Sequence, residues 1–353
     1  MPFLDEHGRQ QFASNNPQGK HADIWMIAGC EDHTTSADVS NVGSFQLPED
    51  QGGGAGGACT AALLEVLYED EQRPLEDYTF TQVLTKMRAI LAKRRFKQVP
   101  QLSSTRPINL NEVFTLVPDT LPGHRRAILI GINYTGQKGA LSGCHGDVFN
   151  MYNYIQDYHG FQDEDITVLI DDEDHARPTK AAMLHAYRDI VQKSQPGDAI
   201  FLQFSGHGTK VKDLNGDEDD GFDEALLPVD FRTAGLIIDD ELHEIIVKGL
   251  PPGVHVVALV SSLFVRSYAS SVEYFPLTLV RTQFDCCHSG TVLDLPYVFK
   301  ADGSFRRMEI EDRFDPSKLN ALLGKRPVKK MINKIAGGKA GGKMVQGFLK
   351  HML

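Results

Sequence analysis

Apolar positions along this chain keep two rhythms. Near-continuous apolar runs at Ile24–Ala28, Ala127–Asn133, Ile166–Ile170, Asp198–Phe204 and Val254–Leu259 have the length and β-branched content of buried strands. Shorter runs at Glu112–Val117 and Ala225–Val229 predict two more. Between them the spacing turns helical. Val83, Met87, Ile90 and Leu91 share one face of a helix over Thr79–Arg94, and Val148, Met151, Tyr152 and Ile155 do so in a helix starting near Asp147. Thr179 caps a third helix, which turns Met183, Tyr187, Ile190 and Val191 inward; Ala58–Tyr68 is a fourth, and Asp239 opens a short fifth. Strands alternating with helices predict an α/β fold with a mostly parallel central sheet, flanked by helices on both faces.

Punctuation divides the chain. Residues 1–21 are polar and expected to be loose, Val42–Gly57 with its QGGGAGG run reads as a flexible loop, and PDTLPG marks a linker at 118–124. The parts on either side are 22–117 and 125–300, followed by a tail at 301–353. In open parallel sheets the chemistry sits beyond the carboxyl ends of the strands. Two candidate segments, FSGHG and FDCCHSG, each follow a strand.

One segment breaks the alternation. VVALVSSLFVRSYASSVEYFPLTLV is apolar enough to raise a membrane span, but Arg266, Glu273, Pro276 and repeated serines argue against one. Removing the 24 residues 260–283 leaves VHVVALFDCCHSG, an alternating strand that runs straight into the second candidate segment. The removed stretch begins Val-Ser and ends Gln, as translation of a GT…AG-bounded intron would. A retained intron and a genuine surface insertion both account for it.

Composition narrows the classes. The 353 residues are 41% apolar, ample for a large buried core. The net charge is −11, yet Gly324–Leu353 holds eight Lys/Arg and no acid, leaving 28 Lys/Arg against 47 acids elsewhere. An acidic body is not a general nucleic-acid binder; its basic tail is suited to acidic partners. The five cysteines (30, 59, 144, 286, 287) are odd in number and lack C-x-x-C spacing, so neither a disulfide framework nor a structural zinc is expected. The opening MPFLDEHGRQQF has neither the basic start nor the apolar core of a secretory signal, and the cytoplasm is the expected compartment.

A cysteine and a histidine at the ends of neighbouring strands supply a thiolate and a proton carrier. His207 and Cys287 are 80 residues apart, or 56 without the extra segment, close to the ~50 of caspases. Glycines beside His207 and after Cys287 allow tight turns and close substrate approach. In an extended strand only one of Cys286 and Cys287 can face a cleft. Each candidate feature also has a plain structural reading: Asp147 as a helix cap, Asp285 as a turn residue, and the acidic stretch Asp213–Asp230 as a solvated loop.

FSGHG, FDCCHSG and the upstream ALSGCHGD together resemble the large-subunit part of a metacaspase. MIAGCEDHTTSADV, the glycine-rich loop and KRRFKQVPQLSSTRPINLNEVFTL resemble the small-subunit part, here placed first, as in type III metacaspases. The resemblance implies a caspase-like sandwich in circularly permuted order; that order leaves no processing linker between the parts, so activity without cleavage into subunits is expected, with a monomer as the default state. It implies Cys287 as nucleophile and His207 as general base and acid, with Gly208 and Cys287 N–H groups as oxyanion hole. Cys286 is then structural, and His288, an immediate neighbour that cannot easily reach the thiolate, is structural or solvent-facing. It further implies cleavage after Arg or Lys, with Asp147 and Asp285 binding the basic side chain and Ser205 and Cys144 lining the wall.

The acidic stretch Asp213–Asp230 partly mimics an EF-hand, but Glu218 stands where that loop needs glycine. The resemblance instead implies a calcium ion held by Asp223, Asp239, Asp240 and Asp294. Asp171–Asp174 matches nothing in the family and is expected to be exposed loop. YTGQKG after AILIGIN is not a dinucleotide fingerprint, so no redox or nucleotide cofactor is expected. The rival from another class is a non-catalytic, calcium-responsive caspase-like scaffold.

Overall fold

The computed structural model describes residues 22–29, 38–39, 45–47, 55–71, 77–106, 108–118, 121–212, 222–264, 292–300 and 305–307. In chain order the elements are β1 (Asp23–Ala28), β2 (Asp38–Val39), β3 (Gly56–Gly57), α1 (Ala58–Glu71), α2 (Phe80–Lys93), β4 (Gln101–Ser104), β5 (Arg125–Gly131), α3 (Cys144–His159), β6 (Ile166–Ile170), α4 (Lys180–Lys193), β7 (Ala199–Lys212), β8 (Phe222–Leu226), α5 (Phe231–Ala234), β9 (Ile237–Ile238), α6 (Asp239–Leu242), β10 (His255–Phe264), β11 (Tyr297–Lys300) and β12 (Phe305–Arg307).

The main sheet runs β12-β11-β4-β1-β10-β7-β5-β6, with β8 paired to the far end of β7 and β9 to β8. Its centre, β1-β10-β7-β5-β6, is parallel, and β4, β11 and β12 extend it antiparallel. Because strand side chains alternate faces, each central strand feeds two cores. Trp25, Ile27, Leu129, Phe201, Val257 and Leu259 pack beneath α1, α2 and α3. Ile24, Met26, Ile130, Leu202, Val256 and Val260 pack on the other face with α4 and the Leu242–Leu250 region. Burial of both faces is why these strands carry no polar alternation. No helix among the described residues is long and apolar enough to cross a membrane.

The helical spacings hold. Thr79 closes a capping box with Gln82, which satisfies first-turn N–H groups of α2 and contributes about 1 kcal/mol. Thr179 caps α4 through Ala182 N–H.

Three expectations do not hold. Glu112–Val117 is not a strand: only a single bridge, Thr79–Val113, forms there. The FSGHG segment is not a turn. β7 runs through it to Lys212, because β10 pairs with it on one side and β8 takes over at Gly208–Lys212. The strand expected at Ala225–Val229 instead spans Phe222–Leu226, and Leu227 N–H donates to the His207 carbonyl at 3.0 Å.

Candidate active site

β5 stops pairing with β7 at Gly131–Ser205. Two residues further on, His207 stands beyond that end and is only 5% exposed. Three of its contacts position it. Its backbone N–H donates to the Tyr134 hydroxyl at 2.9 Å, and that hydroxyl donates to Leu227 O at 2.6 Å. The two rings lie 4.6 Å apart between centroids. His207 Nε2 lies 2.7 Å from Gly139 O. A carbonyl only accepts, so in the neutral ring Nε2 carries the proton and Nδ1 keeps the lone pair.

The loop that supplies these contacts is held in uncommon backbone states: Tyr134 has φ +51° and Gly139 φ +86°. Asp171 anchors it. One carboxylate oxygen accepts from Asn133 N–H at 2.7 Å and lies 2.7 Å from His145 Nε2, and the other accepts from Thr135 N–H at 3.2 Å. Burial alone would raise its pKa, but the His145 hydrogen bond and the two backbone N–H groups outweigh that and lower it. Asp171 is therefore not exposed loop: its side chain is 2% exposed.

Asp147 lies in the first turn of α3, and Gly143 rather than Asp147 is the cap residue. The Asp147 carboxylate is buried, accepting from Gly57 N–H at 2.6 Å and from Ser205 Oγ at 2.5 Å. Gln203 Nε2 donates to its carbonyl at 3.1 Å. Gly57 has no room for a side chain: a Cβ there would lie 2.5 Å from Asp147 Oδ2 and 2.8 Å from Ser261 Oγ. Cys144, buried one turn before Asp147, takes its backbone hydrogen bond from N–H to Asn133 Oδ1 at 3.0 Å. Ser205 and His207, two apart on β7, face the same side of the sheet. The structure thus brings Asp147, Ser205, Cys144 and His207 into one region. Gly208 continues β7, in register with Phe264 and Leu226. Cys286, Cys287, Asp285 and His288 lie outside the described residues.

Of the four expected calcium ligands, Asp239 and Asp294 are electrostatic neighbours. The Asp239 carboxyl is pushed far above the usual carboxylate range, first by burial and then by the Asp294 charge. Its oxygens accept from Glu224 N–H at 2.7 Å and Asp240 N–H at 2.8 Å. Asp223 is buried on β8, opposite Val211. Among the described residues no three His, Cys, Asp or Glu side chains form a ready metal-binding group. A buried carboxylate pair fits part of a hard-cation site; the four residues are not drawn together as one ligand set. The EF-hand-like positions 213–221 and the basic tail lie outside the described residues.

Sequence reasoning missed Tyr134, Gly139, His145 and Asp171. The glycines and polar residues of NYTGQKG were the available signal, since positive-φ loops collect such residues.

The sheet and the chain's likenesses agree on a class. Residues 125–269 match the family described as metacaspase, peptidase C14 domain, and residues 4–110 match the caspase domain. The chain is a caspase-like cysteine peptidase. It is 51% identical over 326 residues to Metacaspase III c of Phaeodactylum tricornutum, covering 92% of this chain and 89% of that one. It is 42% identical over 232 residues to Metacaspase-1 of Emericella nidulans and 46% over 183 residues to Metacaspase-1A of Aspergillus niger. Of those two fungal proteins it spans 49% and 39%. With that breadth of identity to the diatom protein, the chain belongs to the metacaspases.

Proposed function

We propose that this metacaspase is a calcium-responsive endopeptidase that cuts proteins after Arg or Lys through Cys287 and His207. The observation that carries the specificity is the buried Asp147 carboxylate, bonded to Ser205 on the strand face that also presents His207. Along a strand, two residues are separated by roughly 6–7 Å. A basic side chain reaching from a bond cut beside His207 meets a charge-assisted acceptor at that range. A neutral or acidic one does not.

The chemistry needs no cofactor redox step. His207 Nδ1 takes the Cys287 proton, and the thiolate attacks the substrate carbonyl carbon, forming a C–S bond as the C=O pair moves to oxygen. Backbone N–H groups of Gly208 and Cys287 stabilise that oxyanion. Collapse breaks the C–N bond, and the imidazolium protonates the departing amine. Water, deprotonated by His207, then cleaves the thioester and restores the thiol. The Nε2–Gly139 contact keeps Nδ1 as the accepting nitrogen through both halves.

A bound calcium ion would be held by Asp239 and Asp294 with Asp223 and Asp240, and would supply positive charge that favours their ionised forms, ordering the 223–242 and 292–295 regions without joining the reaction. The small-part-first order is read as a permuted caspase-like chain, supported by β1 pairing directly with β10 in one sheet. The protein is read as a cytoplasmic monomer.

The rival scaffold reading is favoured by one observation: Leu263, not cysteine, stands opposite His207 on β10. The deciding assay is cleavage of Arg-terminated and Asp-terminated fluorogenic peptides with calcium or chelator, alongside Cys287→Ala. Arg-selective, calcium-raised, Cys287-dependent cleavage is expected. Absence of Arg-peptide cleavage from every form of the chain, including one lacking residues 260–283, overturns the reading.

A further inference from the structure

β10 does not end where its apolar run ends. It continues through Val260–Phe264, and these five residues keep parallel register with β7: Ser261 opposite Ser205, Ser262 opposite Gly206, Leu263 opposite His207 and Phe264 opposite Gly208. They are the first five residues of the segment 260–283. Joining Leu259 directly to Phe284 threads FDCCH through the same five places. Asp285 then takes the place of Ser261, and Cys287 takes the place of Leu263, directly across from His207.

The faces agree. Parallel partners point the same way, so positions 261 and 263 share the face of Ser205 and His207. Ser261 Oγ and Asp147 Oδ2 both crowd the one point beside Gly57. An aspartate at 261 therefore brings a second carboxylate to Asp147, as a site for a guanidinium requires. Cys286 and His288 fall on the opposite face.

Packing agrees independently. On that opposite face Val260 borders a partly open apolar pocket of about 30 Å³, lined also by Tyr187, Leu202, Phe204, Leu226 and Ile246. Phe284 in the place of Val260 directs an aromatic ring into that pocket. The likeness to the metacaspase peptidase domain ends at residue 269, within the segment and short of Cys287.

We propose that residues 260–264 occupy the strand places that residues 284–288 hold in the catalytically competent form of this chain, a form that lacks residues 260–283. The inference rests on the Cys287–His207 reading. It adds that the 353-residue chain holds the wrong residue beside its histidine.

The test compares the full chain with a Δ260–283 chain. Cross-strand placement is read first: His207→Cys is introduced into both, and oxidised samples are mapped by peptide mass. Paired parallel positions fall within disulfide reach. A disulfide joining position 207 to Cys287, but not to Cys286, is expected in the deleted chain and not in the full one. Next, both chains with His207 intact are titrated with iodoacetamide across pH 5–9. In the deleted chain Cys287 is expected to react at least tenfold faster at pH 7 than in the full chain, and His207→Ala is expected to abolish that gain. Arg-peptide cleavage should rise at least a hundredfold on deletion.

Equal cleavage by both chains overturns the register inference and leaves the peptidase reading standing. The position-207 disulfide and His207-dependent alkylation, without cleavage, uphold the register and overturn the peptidase reading. A deleted chain that melts cooperatively but forms no 207–287 disulfide overturns the inference. If the deleted chain does not fold, the decision passes to Val260→Phe in the full chain: a higher Tm upholds the inference and a lower Tm overturns it.

Discussion

His207 Nε2 and the Gly139 carbonyl oxygen, 68 residues apart in sequence, lie 2.7 Å apart. This contact sets which imidazole nitrogen exchanges protons, and it depends on a glycine held at φ +86°. A side chain at 139 strains that backbone state and turns the carbonyl. In the catalytically competent chain, Gly139→Val should lower kcat by about 10–100-fold, since small misplacements of catalytic groups cost that much. KM for the Arg peptide should stay within about twofold. Steady-state kinetics check both, and a loss confined to KM counts against a tautomer-fixing role.

Asp147 combines a structural and an electrostatic role, and the two can be separated. Asp147→Asn keeps an oxygen for the Gly57 N–H but removes the charge. It should cut kcat/KM for an Arg peptide by about 100-fold, in line with a charge-assisted bond of roughly 3 kcal/mol. A citrulline counterpart, neutral and nearly the same shape, should be cleaved at an unchanged rate. Equal losses on both peptides would point to collapse of the pocket instead.

Asp171 makes a prediction about pH. Its carboxyl is held below the ordinary range by His145, Asn133 and Thr135. Its contribution to stability is therefore present above the unfolded value of about 3.9 and is lost as pH falls through the lower folded value. Asp171→Asn should destabilise the protein by about 1–3 kcal/mol at pH 7. The gap to the parent should close below about pH 4 as the parent's carboxyl is protonated. Urea melts at pH 7 and pH 3 test this. A gap that is the same at both values rules out the carboxylate as its source.

Much of the architecture could be read from the sequence. The Thr179 cap and the central strands stand where the apolar rhythm and capping chemistry put them, because local preference and burial point the same way. FSGHG misled: glycines usually signal a turn, but two flanking strands hold this segment extended, and pairing outweighs propensity. Asp147 looked like a cap residue because its bonds to Gly57 and Ser205 join parts of the chain 90 and 58 residues distant. Asp171 looked solvated for the same reason, since nothing in DDED tells which acid turns inward. Long-range partners are the part of a site that one-dimensional pattern carries least.

The Asp239–Asp294 pair predicts opposite effects in two conditions. Asp239→Asn removes the cost of holding a buried carboxyl protonated beside Asp294, so without calcium the variant should melt at or above the parent temperature. In millimolar calcium the parent should gain several degrees and the variant less. Asp240→Ala should likewise abolish activation by calcium. Thermal melts with calcium, magnesium and chelator check these signs. A variant with the full calcium shift removes Asp239 from the cation's surroundings.

Asp23–Ala28 lies between β10 and β4, opposite His255–Val260. During synthesis this early stretch, rich in tryptophan, methionine and isoleucine, must wait for more than two hundred further residues before its parallel neighbour leaves the ribosome. Until then one of its hydrogen-bonding edges is open to any other nascent strand. The cell that makes this protein therefore faces its greatest hazard of clumping before the last third of the message is read, and chaperone demand should scale with translation time.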